Sequence, residues 1–375
     1  MAWFIGWCLV LEYLFAASTV AVGWSGYLNS FLGTLGIAIP DTLANSAFTV
    51  IGGEFTASGA LINLPAVAIV AAVSWLCYVG IRQSAFANSI IVAVKVTVIL
   101  TFVGFGAMYV NTDNWVPFIP ENTGPGQFGM DGVVRAAAIV FFAYIGFDAV
   151  STAAGEARNP QRDMPRGILG SLVICTVIYI AVCAVLTGMM PYQQLGTAKP
   201  VATALEAYPS LLWLKTLVEI AAIAGLSSVI LVMLMAQPRI FYTMANDGLM
   251  PAIFGKVHPR HHTPYIGTVI VGFIAAVLAG FLPINLLGEL VSMGTLLAFA
   301  TVCAGVLVLR YTRPEQPRPF RVPFATVVCP LGAIACLYLF WQPFRDHWFL
   351  FVCWTALGLL IYFSYGYWHS KLRTA

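Results

Sequence analysis

FFAYIGFDAVSTAAGEARNP, residues 141–160, is the stretch whose reading decides the fold. It opens as an apolar run suited to hydrocarbon and closes in charge and proline, yet Gly146 and Asp148 stand in its middle. Glycine loosens a helix, and an ionised carboxylate deep in a bilayer costs at least ~2.5–3.5 kcal/mol on insertion scales. Two readings fit the pair. In one, the helix is broken near mid-depth, and the exposed N–H and C=O groups are tolerated because they line a cavity or hold a ligand. In the other, an intact helix carries a packing glycine and a paired aspartate.

The rest of the chain shares the apolar character of this run. Of 375 residues, 60% are hydrophobic and 9% charged, with a mean hydropathy of +0.88, well beyond the ~45–50% apolar content of soluble domains. Ten runs are long enough to cross ~30 Å of hydrocarbon as helices: 3–24, 62–81, 86–109, 132–154, 167–190, 213–236, 265–283, 286–309, 324–342 and 347–368. Loop punctuation separates them, as in NTDNWVPFIPENTGPGQFG after the third and RYTRPEQPRPFRVP after the eighth. The expected fold is an all-α polytopic membrane protein with ten transmembrane helices and no soluble domain.

Basic loops stay in the cytoplasm. Of the 18 Lys and Arg, 13 fall on one side of this arrangement and 3 (Lys199, Lys215, Arg345) on the other, with Lys95 and Arg135 within or at the edge of spans. Both termini are therefore expected in the cytoplasm of a multi-pass plasma-membrane protein, and the net charge of +3 reflects topology and gives no sign of a nucleic-acid partner. The eight cysteines lie in or at the ends of apolar runs without CxxC spacing and read as apolar fillers. HPRHH, 258–262, reads as a solvated loop rather than a metal site. The opening MAWFIGWCLVLEY has neither a basic n-region nor a small-residue cleavage site, and reads like the interior of a longer protein.

Each ionisable group inside a span needs a partner, a wet cavity or a function. Glu12, Lys95, Asp148 and Glu219 fall inside spans, and Glu289 lies near enough to an end to be explained by snorkelling or a wet vestibule. Lys95 is near the midplane, where it serves either as a structural partner of an acid such as Glu12 or as a titrating amine. Ser227 and Ser228 in AGLSSVIL are also near mid-depth, and hydroxyls there either bond back to their own helix or serve a site. Glu12, an intramembrane acid, is either a buried structural acid or a functional one. No HExxH, GxSxG or spaced His/Asp cluster occurs in the spans, so no catalytic residue, metal or cofactor is expected and an enzyme is disfavoured.

Four motifs in order, VAVKVTVILTF, FFAYIGFDAVSTAAGEARNPQRDMPRGI, GLSSVILVMLMAQPRIFYTMANDGLMP and LVSMGTLLAFATVCAGVLVLRYTRPEQPRPFRVP, resemble the amino acid, polyamine and organocation transporter superfamily, and most of all bacterial permeases of the cationic amino acid transporter type. The resemblance covers essentially the whole chain. It implies an inverted-repeat fold of five plus five helices, often with two more, and a substrate site between broken first and sixth helices. The ten spans match the third to the twelfth helices of that scheme, which divides a single transmembrane domain, 1–375, into 1–110 from the first repeat, 131–311 as the second and 323–370 as two extra helices.

By this resemblance the span holding FAYIGFDAV is the sixth helix. Phe141, Ala143, Tyr144, Ile145, Gly146, Phe147 and Asp148 then offer backbone and side chains to an amino acid. Lys95 corresponds to a lysine whose ammonium replaces a bound sodium ion and couples transport to protons, with Ser227 and Ser228 lining that cation site. Three positions depart from the pattern: Gly155 and Cys8 stand where acids are usual, and Asn246 replaces a basic or small polar residue. The expected function is amino acid permeation by proton-coupled secondary active transport, in a chain truncated at its N-terminus and for that reason weak or lacking in substrate binding. The alternative is a non-transporting membrane scaffold or permease remnant.

Overall fold

A computed structural model describes residues 2–51, 54–80, 85–124, 127–146, 159–316, 318 and 320–371. Helix α1 (Ala2–Thr34) is followed by the short α2 (Asp41–Ala44) and a two-stranded antiparallel hairpin, β1 (Phe48–Ile51) with β2 (Glu54–Ala57). Its register pairs Phe48 with Ala57 and Thr49 with Thr56. There follow α3 (Leu64–Val79), α4 (Ala85–Gly106), α5 (Gly129–Val140), α6 (Pro160–Met189), α7 (Pro200–Glu206), α8 (Leu212–Asn246), α9 (Tyr265–Phe281), α10 (Ile284–Thr312) and α11 (Ala325–Ile361). Among the described residues six helices are long and apolar enough to cross a membrane, and α3 and α9 are shorter apolar helices. The chain is a polytopic helical membrane protein.

The expected runs fall on these helices, with residues 147–154 of the run 132–154 outside the described residues, and three differences stand out. The run 3–24 is the front of a longer α1, which continues to Thr34. Its polar extension is stabilised by internal partners: Ser25 Oγ donates to Val22 O at 3.0 Å and accepts from Asn63 Nδ2 at 2.8 Å. The runs 324–342 and 347–368 join in α11, where His347 leaves helical geometry (φ −126°, ψ 26°). Finally, the hairpin 48–57 was not expected, although Val50–Ile51 and Phe55–Thr56 flank Gly52-Gly53, a pattern that signals a tight turn.

Local sequence accounts for helix ends. Asn63 caps α3 by accepting from Ala66 N–H at 3.1 Å, with Pro65 in the first turn, where its missing N–H costs nothing. Gly80 closes the helix in the left-handed region (φ 80°) and returns its N–H to Leu76 and Cys77 carbonyls.

The chain forms two compact units. One contains Met1–Glu12, Glu121–Val177 and Gly288–Trp368; the other contains Tyr13–Pro120, Ile178–Leu287 and His369–Ala375. In the second unit Val98, Phe102, Val185, Met189, Leu205, Leu211, Leu214 and Val218 make a core that joins α4, α6, α7 and α8. In the first, Trp7 stacks on Trp354 with ring centroids 4.6 Å apart and donates Nε1–H to the Trp354 carbonyl at 3.0 Å. Gly294 of α10 lets α1 approach: a Cβ there would lie 3.0 Å from Leu11 Cδ2 and 3.2 Å from the Cys8 carbonyl.

Candidate functional site

The second unit brings two of the expected coupling residues together. Lys95, near the middle of α4, donates Nζ–H to Ser228 Oγ of α8 at 2.9 Å. Ser228 in turn donates to the Gly225 carbonyl at 2.9 Å, one turn back on its own helix. The lysine reaches this point because residue 225 has no side chain. A Cβ there would stand 2.7 Å from Lys95 Cε and 3.2 Å from Cδ, well inside the ~3.5–4.0 Å of ordinary carbon contact. Among the described residues Lys95 makes no ion pair with a carboxylate.

Ser227 faces a different neighbour. Its Oγ donates to Ile223 O at 2.7 Å and accepts Nε1–H of Trp24 at 2.9 Å, while the same indole reaches Ile223 O at 3.0 Å. Trp24 thus clamps α1 to the turn of α8 that precedes Ser228. The serine is a structural partner of Trp24 in this geometry, and Ser228 is the one that meets the lysine.

A cavity of about 280 Å³ opens beside Lys95, with Tyr27, Val98, Phe102, Val201, Val218 and Gly225 in its wall. Adjacent to Val218 is Glu219, fully buried, whose carboxylate accepts from Ser30 Oγ of α1. Lys199 Nζ donates to Ser30 Oγ at 2.9 Å and to Glu206 at 2.8 Å; Lys215 lies 2.9 Å from Glu206 and 3.6 Å from Glu219. The two lysines and two glutamates close a ring through Ser30, so the buried Glu219 charge is balanced rather than stranded. Partial burial disfavours the Glu206 carboxylate, but the bonds and charges of Lys199 and Lys215 outweigh it and hold that carboxyl below its ordinary value.

The first unit contains the other expected residues. α5 ends at Val140, Phe141–Tyr144 tighten into a 3₁₀ turn, Ile145 is extended (φ −60°, ψ 135°) and Gly146 has φ +117°. That last conformation is one that L side chains rarely adopt. Phe141 packs edge-on against Phe299 at 5.8 Å, and Tyr144 Oη donates to Thr176 Oγ1 at 3.1 Å. Ala143 is exposed. Phe147 and Asp148 lie outside the described residues, as does Gly155. Glu12 is completely buried in α1, one turn after the buried Cys8.

One residue was misread in the sequence and one pair passed over. Glu289 is not a snorkelling acid at a span end. It is 5% exposed, paired with Arg135 at 3.1 Å and His347 Nε2 at 2.6 Å, and Arg135 also reaches Asp346 at 3.2 Å. The signal that could have found it is the set of charges clustered near the ends of three apolar runs. The pair is Trp24 with Gly225, which resemble ordinary apolar filler until their helices are placed side by side.

Comparison with known proteins gives the following. The amino acid permease family model matches residues 1–363. The branched-chain amino acid permease BcaP of Bacillus subtilis (strain 168) is 43% identical over 374 residues, covering 100% of this chain and 78% of that protein. The methylthioribose transporter of the same organism is 43% identical over 373 residues, again covering 100% and 78%. The vacuolar cationic amino acid transporter 4 of Arabidopsis thaliana is 37% identical over 316 residues, covering 84% of this chain and 51% of that protein.

Proposed function

We propose that this chain, which belongs to the amino acid permease family, couples amino acid transport to protons through Lys95. The supporting observation is the 2.9 Å contact between the Lys95 ammonium and Ser228 at the middle of α4 and α8. An ammonium there acts as a built-in cation that links the two helices. Loss of its proton removes the charge and weakens the bond to Ser228, whose own hydroxyl proton stays on Gly225 O. A link that depends on protonation lets the two helices favour different arrangements in the two charge states, which is what coupling requires.

The substrate is placed at Phe141–Gly146, together with Phe147 and Asp148. At Ile145 and Gly146 the chain leaves the helix, and an interruption of a membrane helix near mid-depth is where transporters hold small charged substrates. The repeat reading, with 1–110, 131–311 and 323–370 as its parts, makes this turn one half of a midplane site. The branched-chain permease among the relatives favours an uncharged side chain. The excess of basic residues in alternate loops favours both termini in the cytoplasm of the plasma membrane.

The test is uptake of labelled leucine by liposomes holding the purified chain, with and without an inward proton gradient. Gradient-driven accumulation is expected from wild type and not from K95Q, while K95Q retains leucine exchange at zero gradient. Unchanged accumulation by K95Q would refute the coupling role. Stronger competition by arginine and lysine than by isoleucine and valine would refute the uncharged side-chain class.

A further inference from the structure

The loop HPRHH reads as solvated in the sequence, but in the second unit it is built. His258 Nδ1 accepts the backbone N–H groups of Arg260 and His261, each at 3.2 Å. His258 N–H donates to Thr263 O at 2.8 Å, and Thr263 Oγ1 donates to the Tyr78 carbonyl at the end of α3 at 3.0 Å. The His258 and His261 rings lie 4.7 Å apart, and Tyr78 flanks them at 5.6 and 5.8 Å. His262 sits at φ +54°, a backbone state that an L residue keeps only when its surroundings impose it.

The result is a cavity of about 190 Å³ at the end of α3, the start of α9 and the last third of α8. Arg239, His261, His262, Thr263 and Thr268 contribute its polar wall. Among the described residues no carboxylate lines it, and Arg239 has no ion pair. The first turn of the 17-residue α9 adds the positive end of its dipole to this wall. Arg239, His261 and His262 line this space beside a helix start, Arg239 and His262 being exposed, so the wall is short of negative charge. Guanidinium forks match phosphate oxygens, and basic pockets between membrane helices hold lipid headgroups.

We infer that this cavity binds a phosphate-bearing anion, with Arg239 as its main contact. The shared chemistry is the phosphate group, supplied either by an anionic phospholipid or by a soluble phosphate. If the orientation proposed above holds, the lipid is one of the cytoplasmic leaflet.

The experiment follows thermal unfolding of the full purified chain in neutral detergent while phosphatidylglycerol, phosphatidylcholine or inorganic pyrophosphate is titrated in. Phosphatidylglycerol is expected to raise the midpoint more than phosphatidylcholine does. R239Q should weaken that effect at least about fivefold, the worth of one basic group at a membrane surface. R239K should keep most of it, and R260Q, the same charge change outside the cavity wall, should keep all of it. If R239Q does not fold, H261Q/H262Q serves in its place and is expected to weaken the effect in the same direction. An Arg239-dependent shift from pyrophosphate assigns the site to a soluble anion, and one seen only with phosphatidylglycerol assigns it to lipid. Equal shifts from both lipids with none from pyrophosphate, or equal losses in R239Q and R260Q, would overturn the inference.

Discussion

Gly225→Ala tests the Lys95 site with a single methyl group. That methyl would sit 2.7 Å from Lys95 Cε, 3.2 Å from Cδ and 3.4 Å from Cγ, so the lysine must retreat by roughly 1 Å to reach ordinary contact. Its 2.9 Å bond to Ser228 then passes the ~3.2 Å limit of a good N–H···O bond. Hydrogen bonds to charged groups contribute about 1.5–3 kcal/mol. Against this loss, alanine is better than glycine inside a helix by ~0.8–1.0 kcal/mol. The net expectation is a destabilisation of roughly 0.5–2 kcal/mol, opposite in sign to what helix propensity alone gives. Thermal unfolding in detergent reads the sign, and gradient-driven leucine uptake, expected to fall roughly tenfold or more, reads the function. A cycle with Ser228→Ala isolates the mechanism: once the acceptor is gone the destabilisation by G225A should vanish and leave at most the ~0.8–1.0 kcal/mol gain in helix propensity. A G225A protein that melts above wild type and keeps its full gradient response would refute this account.

Trp24→Phe removes the indole N–H shared by Ile223 O and Ser227 Oγ, and a loss of about 1–2 kcal/mol is expected on unfolding, with Ser227→Ala costing less because it leaves the indole bonded to Ile223 O. His347→Ala should cost about 1.5–3 kcal/mol, since it takes one of two hydrogen-bond partners from the buried Glu289 carboxylate; H347A combined with Glu289→Gln, which removes the buried charge, should recover part of that loss in the same melting assay. Glu206 has a carboxyl held below its ordinary value by Lys199 and Lys215. Its contribution to stability is therefore complete above the unfolded-state value, near pH 4.3, and is lost as pH falls through the lowered folded value. Because its side chain is 38% exposed, the term is at most about 1 kcal/mol. E206Q should flatten the acid limb of stability against pH without moving the neutral region by more than that, and an unchanged acid limb would show that the two lysines do not act on this group.

What could be read from the chain alone was whatever depends on neighbours in sequence. Length and apolar content place helices in a bilayer because lipid offers no hydrogen-bond partners to any other open backbone. Among the described residues the expected apolar runs fall on the long helices, and Gly146 in an apolar run allowed a break there beside the reading of an intact helix. Depth along a helix follows from ~1.5 Å per residue, so Lys95 and Ser228 were both legible as mid-depth polar groups.

Contacts between distant segments were not legible. Hydropathy ended the first helix near residue 24, since Ser25 and Ser30 are polar; they stay helical and buried because Asn63 and Glu219, far along the chain, satisfy them. Glu289 looked like a span-end acid until α5 and α11 supplied Arg135 and His347. Gly225 looked like any small residue of a membrane helix until α4 laid a lysine across it. The sequence by itself determined which apolar segments are helical and where their polar groups lie in depth, because both follow from local chemistry and helix rise. Only the tertiary structure decided which polar groups meet, because a side chain's partner depends on which helix faces it and how closely their backbones approach.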